Sequence, residues 1–163
     1  MRKLMSDTAF TTGITVDQAP AEVFAAVVDV RGWWSADIDG DTDRVGGEFD
    51  YRNGDLHTCR VRVTDVVPGR KVSWLVLENH FQFTENKTEW VGTTIDFEVV
   101  PSGERTEVRF THHGLVPAYE CYDICFSAWT HYIGTSLREL IETGTGRPNP
   151  RLSDVDAAVA SAS

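Results

Sequence analysis

The chain predicts an α+β domain in which a strongly curved antiparallel sheet wraps a long C-terminal helix and leaves an apolar cavity between them. Three observations lead there. Alternating apolar and polar residues recur in runs from Phe10 to His113, the period of half-buried strands. Asn53-Gly54, Pro68-Gly69 and Pro101-Ser102-Gly103 separate those runs, and such clusters make the tight turns of antiparallel hairpins. Over 118–143 the residues Tyr122, Phe126, Trp129, Ile133, Leu137 and Leu140 recur at spacings of three and four, the stripe of an amphipathic helix.

Phe10, Thr12, Ile14 and Val16 alternate with Thr11, Gly13, Thr15 and Asp17 and form the first strand. A helix over 20–29 follows. Pro20 suits its first turn, Glu22 complements the N-terminal dipole, and Phe24, Val27 and Val28 share one face. It leads into a turn at Arg31-Gly32-Trp33-Trp34 and an acidic loop over 37–43. Strands are expected over 47–52, 56–67, 71–77, 88–100 and 106–113, paired as hairpins. The segment 78–87 carries Phe81 and Phe83 at alternate positions and either extends a hairpin or forms a flap. Gly144 and Gly146 end the final helix, and Pro148 and Pro150 forbid its continuation. At 1.5 Å per residue its 25 or so residues span about 37 Å, which only a bent sheet can cover. One domain over 1–148 and a disordered tail over 149–163, rich in Ala, Ser and Asp, complete the expectation.

The chain carries 25 acidic against 15 basic residues, a formal net charge of −10, among 163 residues. With no Lys/Arg run to concentrate positive charge, nucleic acid and anionic membrane are poor partners. Three cysteines and a start without an apolar core behind its charges fit a cytoplasmic protein. The longest apolar stretch, 23–28, falls far short of the roughly 18 residues of a membrane span.

Signatures of catalysis or metal binding are weak. Asp37, Asp39, Asp41, Asp43 and Glu48 imitate the ligand positions of a calcium loop, but Thr42 stands where that loop needs glycine and a strand follows instead of a helix. Cys121 and Cys125 lie one helical turn apart and read as small buried apolar groups. No metal and no cofactor are expected. His112 and His113 are adjacent on a strand and point to opposite faces. Keeping Val108 and Phe110 inward sends His112 inward too, as a hydrogen-bonded core histidine or a polar group in the cavity. The five tryptophans with Tyr119, Tyr122 and Phe126 form a heavy load of stiff side chains, suited to bordering volume the sheet cannot fill.

Pro20-Ala21-Glu22-Val23-Phe24, Gly32-Trp33-Trp34-Ser35, Glu89-Trp90-Val91-Gly92-Thr93, the run from Phe110 to Pro117, Ala128-Trp129 to Ser136-Leu137 and the Thr143-Gly144-Thr145-Gly146 exit carry a resemblance. They resemble the START/Bet v-like (SRPBCC, polyketide cyclase and lipid transport) superfamily, and within it the AHSA-like branch similar to the C-terminal domain of the activator of the 90-kDa heat-shock chaperone ATPase. The resemblance spans about 8–148 and implies the helix-grip fold. It specifies activity poorly, because the same fold serves carriers, cyclases and chaperone regulators.

The expected function is binding of a small, mainly apolar molecule in the cavity. Trp74, Phe110, His112, Tyr119, Tyr122, Phe126 and Trp129 are expected to line it, with Trp33, Trp34, Phe81 and Phe83 near its mouth. A cyclase, dehydratase or hydrolase would use the same space, with His112, Tyr119 or Tyr122 moving a proton. A chaperone-regulating or other interaction domain, with a homodimer among its forms, would use an edge strand or the Phe81/Phe83 segment.

Overall fold

The computed structural model of the protein describes residues 9–150; of the expected tail over 149–163, residues 151–163 lie outside them. Strand β1 (Ala9–Val16) leads to helix α1 (Pro20–Val28), a short 3₁₀ turn (Val30–Gly32), and strands β2 (Ile38–Gly40), β3 (Glu48–Asn53), β4 (His57–Val67), β5 (Lys71–Phe81), β6 (Thr94–Ser102) and β7 (Arg105–His113). The C-terminal helix is continuous over 22 residues. It comprises α2 (Tyr122–His131), a π-helical stretch (Tyr132–Leu137) and α3 (Arg138–Thr143).

All seven strands form one antiparallel sheet in the order β1-β7-β6-β5-β4-β3-β2. Consecutive strands from β2 to β7 are neighbours, as their turn chemistry requires, and β1 closes on β7 with Phe10 opposite His112. Two register shifts between β4 and β5, at Arg60/Val61 and Val63/Asp65, bend the sheet where it must curl. Inward residues alternate as the pleat demands. Val108, Phe110 and His112 are buried, whereas Arg109 and His113 are exposed, and His113 Nε2 meets Asp96 on the outer face at 2.7 Å.

Three local expectations are corrected. β5 extends to Phe81, and β6 begins only at Thr94 because 84–93 is a run of turns, with Gly92 at φ 84°. The acidic loop contains the short strand β2, paired to β3. The helical stripe holds at Trp129, Ile133 and Leu137, which are buried, and Cys125 is buried as expected, but Phe126 is exposed and Cys125 continues the stripe in its place. The four buried residues are spaced by four. On a regular helix of 3.6 residues per turn that spacing drifts by about 40° at each step, and the wider turn of the π-helical stretch takes up the drift.

The exit from the helix is fixed by close backbone approach. A side chain at Gly146 would collide with the Gly32 carbonyl, so only glycine lets the chain pass the Trp33-Trp34 turn. Beyond it Asn149 is tied to the domain. Its backbone N–H donates to the Trp34 carbonyl (3.0 Å), its carbonyl accepts from Ala36 (2.8 Å), and its amide donates to the Tyr132 hydroxyl (2.7 Å).

Candidate functional site

The site grows from a network of stacked aromatic rings that includes every tryptophan of the chain. Trp33 Nε1 donates to the Val27 carbonyl (3.1 Å), and its own carbonyl accepts from Ser136 Oγ (2.7 Å). Those two bonds clamp the turn after α1 against the C-terminal helix. Trp33, Trp34 and Trp74 then lie nearly parallel. Trp34 stacks on Tyr51 of β3 with centroids 3.9 Å apart and tilts against Trp129 at 5.2 Å. Trp129 stacks on Trp90 from the β5–β6 connection at 5.7 Å and 10°.

Beside this wall the sheet and helix stop touching and leave a cavity of about 330 Å³. Trp34, Tyr51, Trp90, Trp129 and Tyr132 line it together with His57, Phe81, Cys125 and Ala128. Its rim carries Leu56 (55% exposed), Ile124 (55%) and Phe83 (40%), three large apolar side chains contributed by the β3–β4 turn, the first turn of α2 and the β5–β6 connection. Asn53 is the remaining polar member, and among the described residues no Asp, Glu, Lys or Arg lines the space. Burial raises the Tyr51 hydroxyl well above its ordinary pKa, so it too stays neutral.

Two carboxylates latch the β5–β6 connection to the start of the helix. Glu89 is buried and accepts from the backbone N–H of Glu120 (2.8 Å) and Cys121 (3.1 Å). Glu120 returns the contact, accepting from the N–H of Glu85 and Asn86, both at 2.9 Å. These backbone bonds hold the Glu120 carboxyl below its ordinary pKa. The latch replaces a side-chain cap on α2, which has none of its own, and it sets Trp90 and Phe83 over the cavity.

The two buried histidines have assignable tautomers. Trp129 Nε1–H, which can only donate, is 3.1 Å from His112 Nδ1, so Nδ1 accepts and the proton sits on Nε2. Nε2–H then faces Thr93 Oγ1 (2.9 Å), whose hydroxyl donates to the Trp90 carbonyl (2.6 Å). Desolvation first, then the neighbouring histidines, lower His112 to about 3. With both nitrogens engaged and no exposure, His112 is a core histidine that ties β7 to the helix and to the Trp90 loop. His57 Nε2 lies 2.6 Å from Asn79 Oδ1, and Asn79 Nδ2 donates to the Lys87 carbonyl (3.2 Å). Burial lowers His57 to about 4.

Of the residues expected at the site, Trp34, Phe81, Phe83 and Trp129 line the cavity. Trp33, Trp74 and Phe110 are packed in the solid core behind it. Phe126 turns outward, 46% exposed, with its ring against Phe10 at 5.1 Å. Tyr122 follows it at 6.0 Å, and Tyr119 precedes the helix without entering the lining. The structure therefore does not bring His112, Tyr119 and Tyr122 together around this space. Tyr51, His57 and Trp90 were missed as lining, although Tyr51 and His57 fall at inward positions of strands already recognised by their alternation. Among the described residues no three His, Cys, Asp or Glu side chains gather as a metal site would require, and no helix is long and apolar enough to cross a membrane.

The family described as Activator of Hsp90 ATPase homolog 1-like protein matches residues 17–142. The chain belongs to that family. Among solved structures, the solution structure of the Aha1 dimer from Colwellia psychrerythraea superposes with a TM-score of 0.68 at 26% identity, covering 85% of this chain and 98% of that one. Protein MLL2253 from Mesorhizobium loti gives 0.66 at 14% identity, with 85% and 99% covered. DynU16, from the dynemicin biosynthetic locus, gives 0.66 at 18% identity and covers 89% of this chain and 51% of its own. The latter two show the shared fold alone. Comparison with curated proteins gave no match.

Proposed function

We propose that this member of the AHSA1 family carries or senses a small, mainly apolar molecule held between the sheet and the C-terminal helix. The observation that carries this reading is the conjunction of an uncharged, aromatic-walled cavity of about 330 Å³ with three exposed apolar side chains gathered at its rim. Leu56, Phe83 and Ile124 come from three separate segments, and covering each removes apolar surface from water at about 25 cal/mol per Å². The volume sits near the lower end of the roughly 300–1,000 Å³ of small-molecule sites, which fits a one- or two-ring compound better than a long acyl chain. Native mass spectrometry of freshly purified protein tests the reading. A retained small molecule, released by an excess of an aromatic competitor, is expected; protein that is empty and fails to take up any apolar probe would overturn it.

A second reading, a homodimer, is favoured by Phe126. This large ring stands 46% exposed on the helix, away from the cavity lining, and one similar structure is described as a dimer. Sedimentation of wild type and Phe126→Glu separates the cases: a dimer built on this face dissociates in the variant. A concentration-independent monomer in both would remove the reading.

A further inference from the structure

His57 lines the cavity with one of its two ring nitrogens left without a protein partner. The Lys87 carbonyl can only accept, so Asn79 must turn its Nδ2 toward it and its Oδ1 toward His57. Because that oxygen can only accept as well, the imidazole proton sits on Nε2. Nδ1 is therefore a bare lone pair, and it has no hydrogen-bond partner among the described residues. His57 lines the cavity, and with its Nε2 edge turned to Asn79 it is the Nδ1 edge that remains for a ligand. The ring cannot turn freely to hide it. Trp90 meets it edge-on at 4.7 Å, Phe81 lies tilted at 4.4 Å, and Tyr51 packs at 5.1 Å.

We infer that the cavity selects a flat, neutral aromatic molecule bearing one hydrogen-bond donor, a phenolic hydroxyl or ring N–H, which it reads through His57 Nδ1. This deepens the proposed function and rests on it. Each part of the specification has its own cause. Flatness follows from the walls, since Trp34, Trp90 and Trp129 offer large ring surfaces that favour stacked or edge-on aromatic partners. Neutrality follows from the lining: with no Lys or Arg there among the described residues, and a net charge of −10 on the chain, a carboxylate would be buried without a counter-ion. The donor follows from His57, which burial keeps uncharged at neutral pH and thus an acceptor at Nδ1. A ligand without a donor would strip water from that nitrogen and return nothing, the situation in which a site built for a hydrogen bond discriminates best.

The test uses naphthol, its methyl ether, naphthalene and naphthoate, titrated against wild type and His57→Phe by quenching of tryptophan fluorescence and by calorimetry. Wild type is expected to bind naphthol about tenfold or more tighter than the ether or naphthalene, and naphthoate weakest. In His57→Phe the preference for naphthol should vanish while the ether and naphthalene still bind. Should that variant misfold, the nitrogen NMR signal of His57 Nδ1 in wild type serves instead, since it must move on adding naphthol and stay on adding naphthalene. Equal binding of naphthol, ether and naphthalene to wild type, or preference for naphthoate, overturns the inference while leaving the cavity reading intact. Failure of all four probes to bind overturns both.

Discussion

Lowering the pH from 6.5 to 5.0 should destabilise this protein far more than an ordinary surface titration would. His57 is lowered from 6.5 to about 4 and His112 from 6.5 to about 3, each chiefly because its charged form is desolvated. A folded-state pKa below the unfolded one means that the unfolded chain binds more protons as the pH falls below 6.5. Stability is therefore full above that point and declines until the folded pKa values are reached. Each pH unit in that window costs about 1.4 kcal/mol per histidine. Because the unfolded histidines are only half protonated at pH 6.5, the pair should remove about 3 kcal/mol over those 1.5 units, a large part of the 5–15 kcal/mol typical of a domain. Urea unfolding followed by circular dichroism between pH 5.0 and 7.0 measures it, in a window above the ordinary range of carboxylates. His57→Gln and His112→Gln should each reduce the slope to about half, whatever they do to stability at pH 7. A flat profile in wild type, or a slope unchanged in both variants, would refute the claim that these two imidazoles are buried and uncharged.

Trp129→Phe should cost more than Trp90→Phe in the same unfolding assay, by about 1–3 kcal/mol. Trp129 Nε1 serves His112, whereas Trp90 Nε1 is buried with nothing better than the weakly accepting Cys125 thiol near it. Glu89→Ala leaves the N–H groups of Glu120 and Cys121 unpaired and should destabilise by about 1–3 kcal/mol. Glu120→Ala, at an exposed carboxylate, should instead show itself as faster amide exchange at Glu85 and Asn86. Phe83→Ala at the rim should weaken binding of naphthalene with little change in stability, while Phe126→Ala, outside the cavity lining, should leave that binding unchanged.

The architecture was legible because its signals are redundant. Turn residues, alternation and the final helical stripe all agree, and the sheet they imply is the sheet that forms. Departures came where two physical readings shared one pattern. Trp90, Val91 and Thr93 are strand-favouring residue types, yet Gly92 adopts positive φ and Glu89 is drawn away to cap the helix. On the helix, Cys125 and Phe126 stand four and three residues before Trp129, both acceptable spacings. Both were expected inward, and the packing buried the cysteine and left the phenylalanine exposed. The site was less legible than the fold for the same reason. Tyr122 and Phe126 keep the stripe's spacing but fall outside the cavity lining, and no local pattern marks where a sheet and a helix part. His112, a candidate for proton transfer, proved fully engaged by partners from the helix and the Trp90 loop, which only tertiary structure reveals.

Equilibrium binding of naphthalene to wild type and to Ala128→Phe tests most directly whether the space between sheet and helix is a ligand site. Ala128 lines the cavity from the helix, and a phenyl ring there would occupy much of its volume. Saturable one-to-one binding by wild type, abolished in a variant whose circular dichroism is unchanged, is the expected result. Absence of saturable binding in wild type, or equal binding by the filled variant, would contradict it.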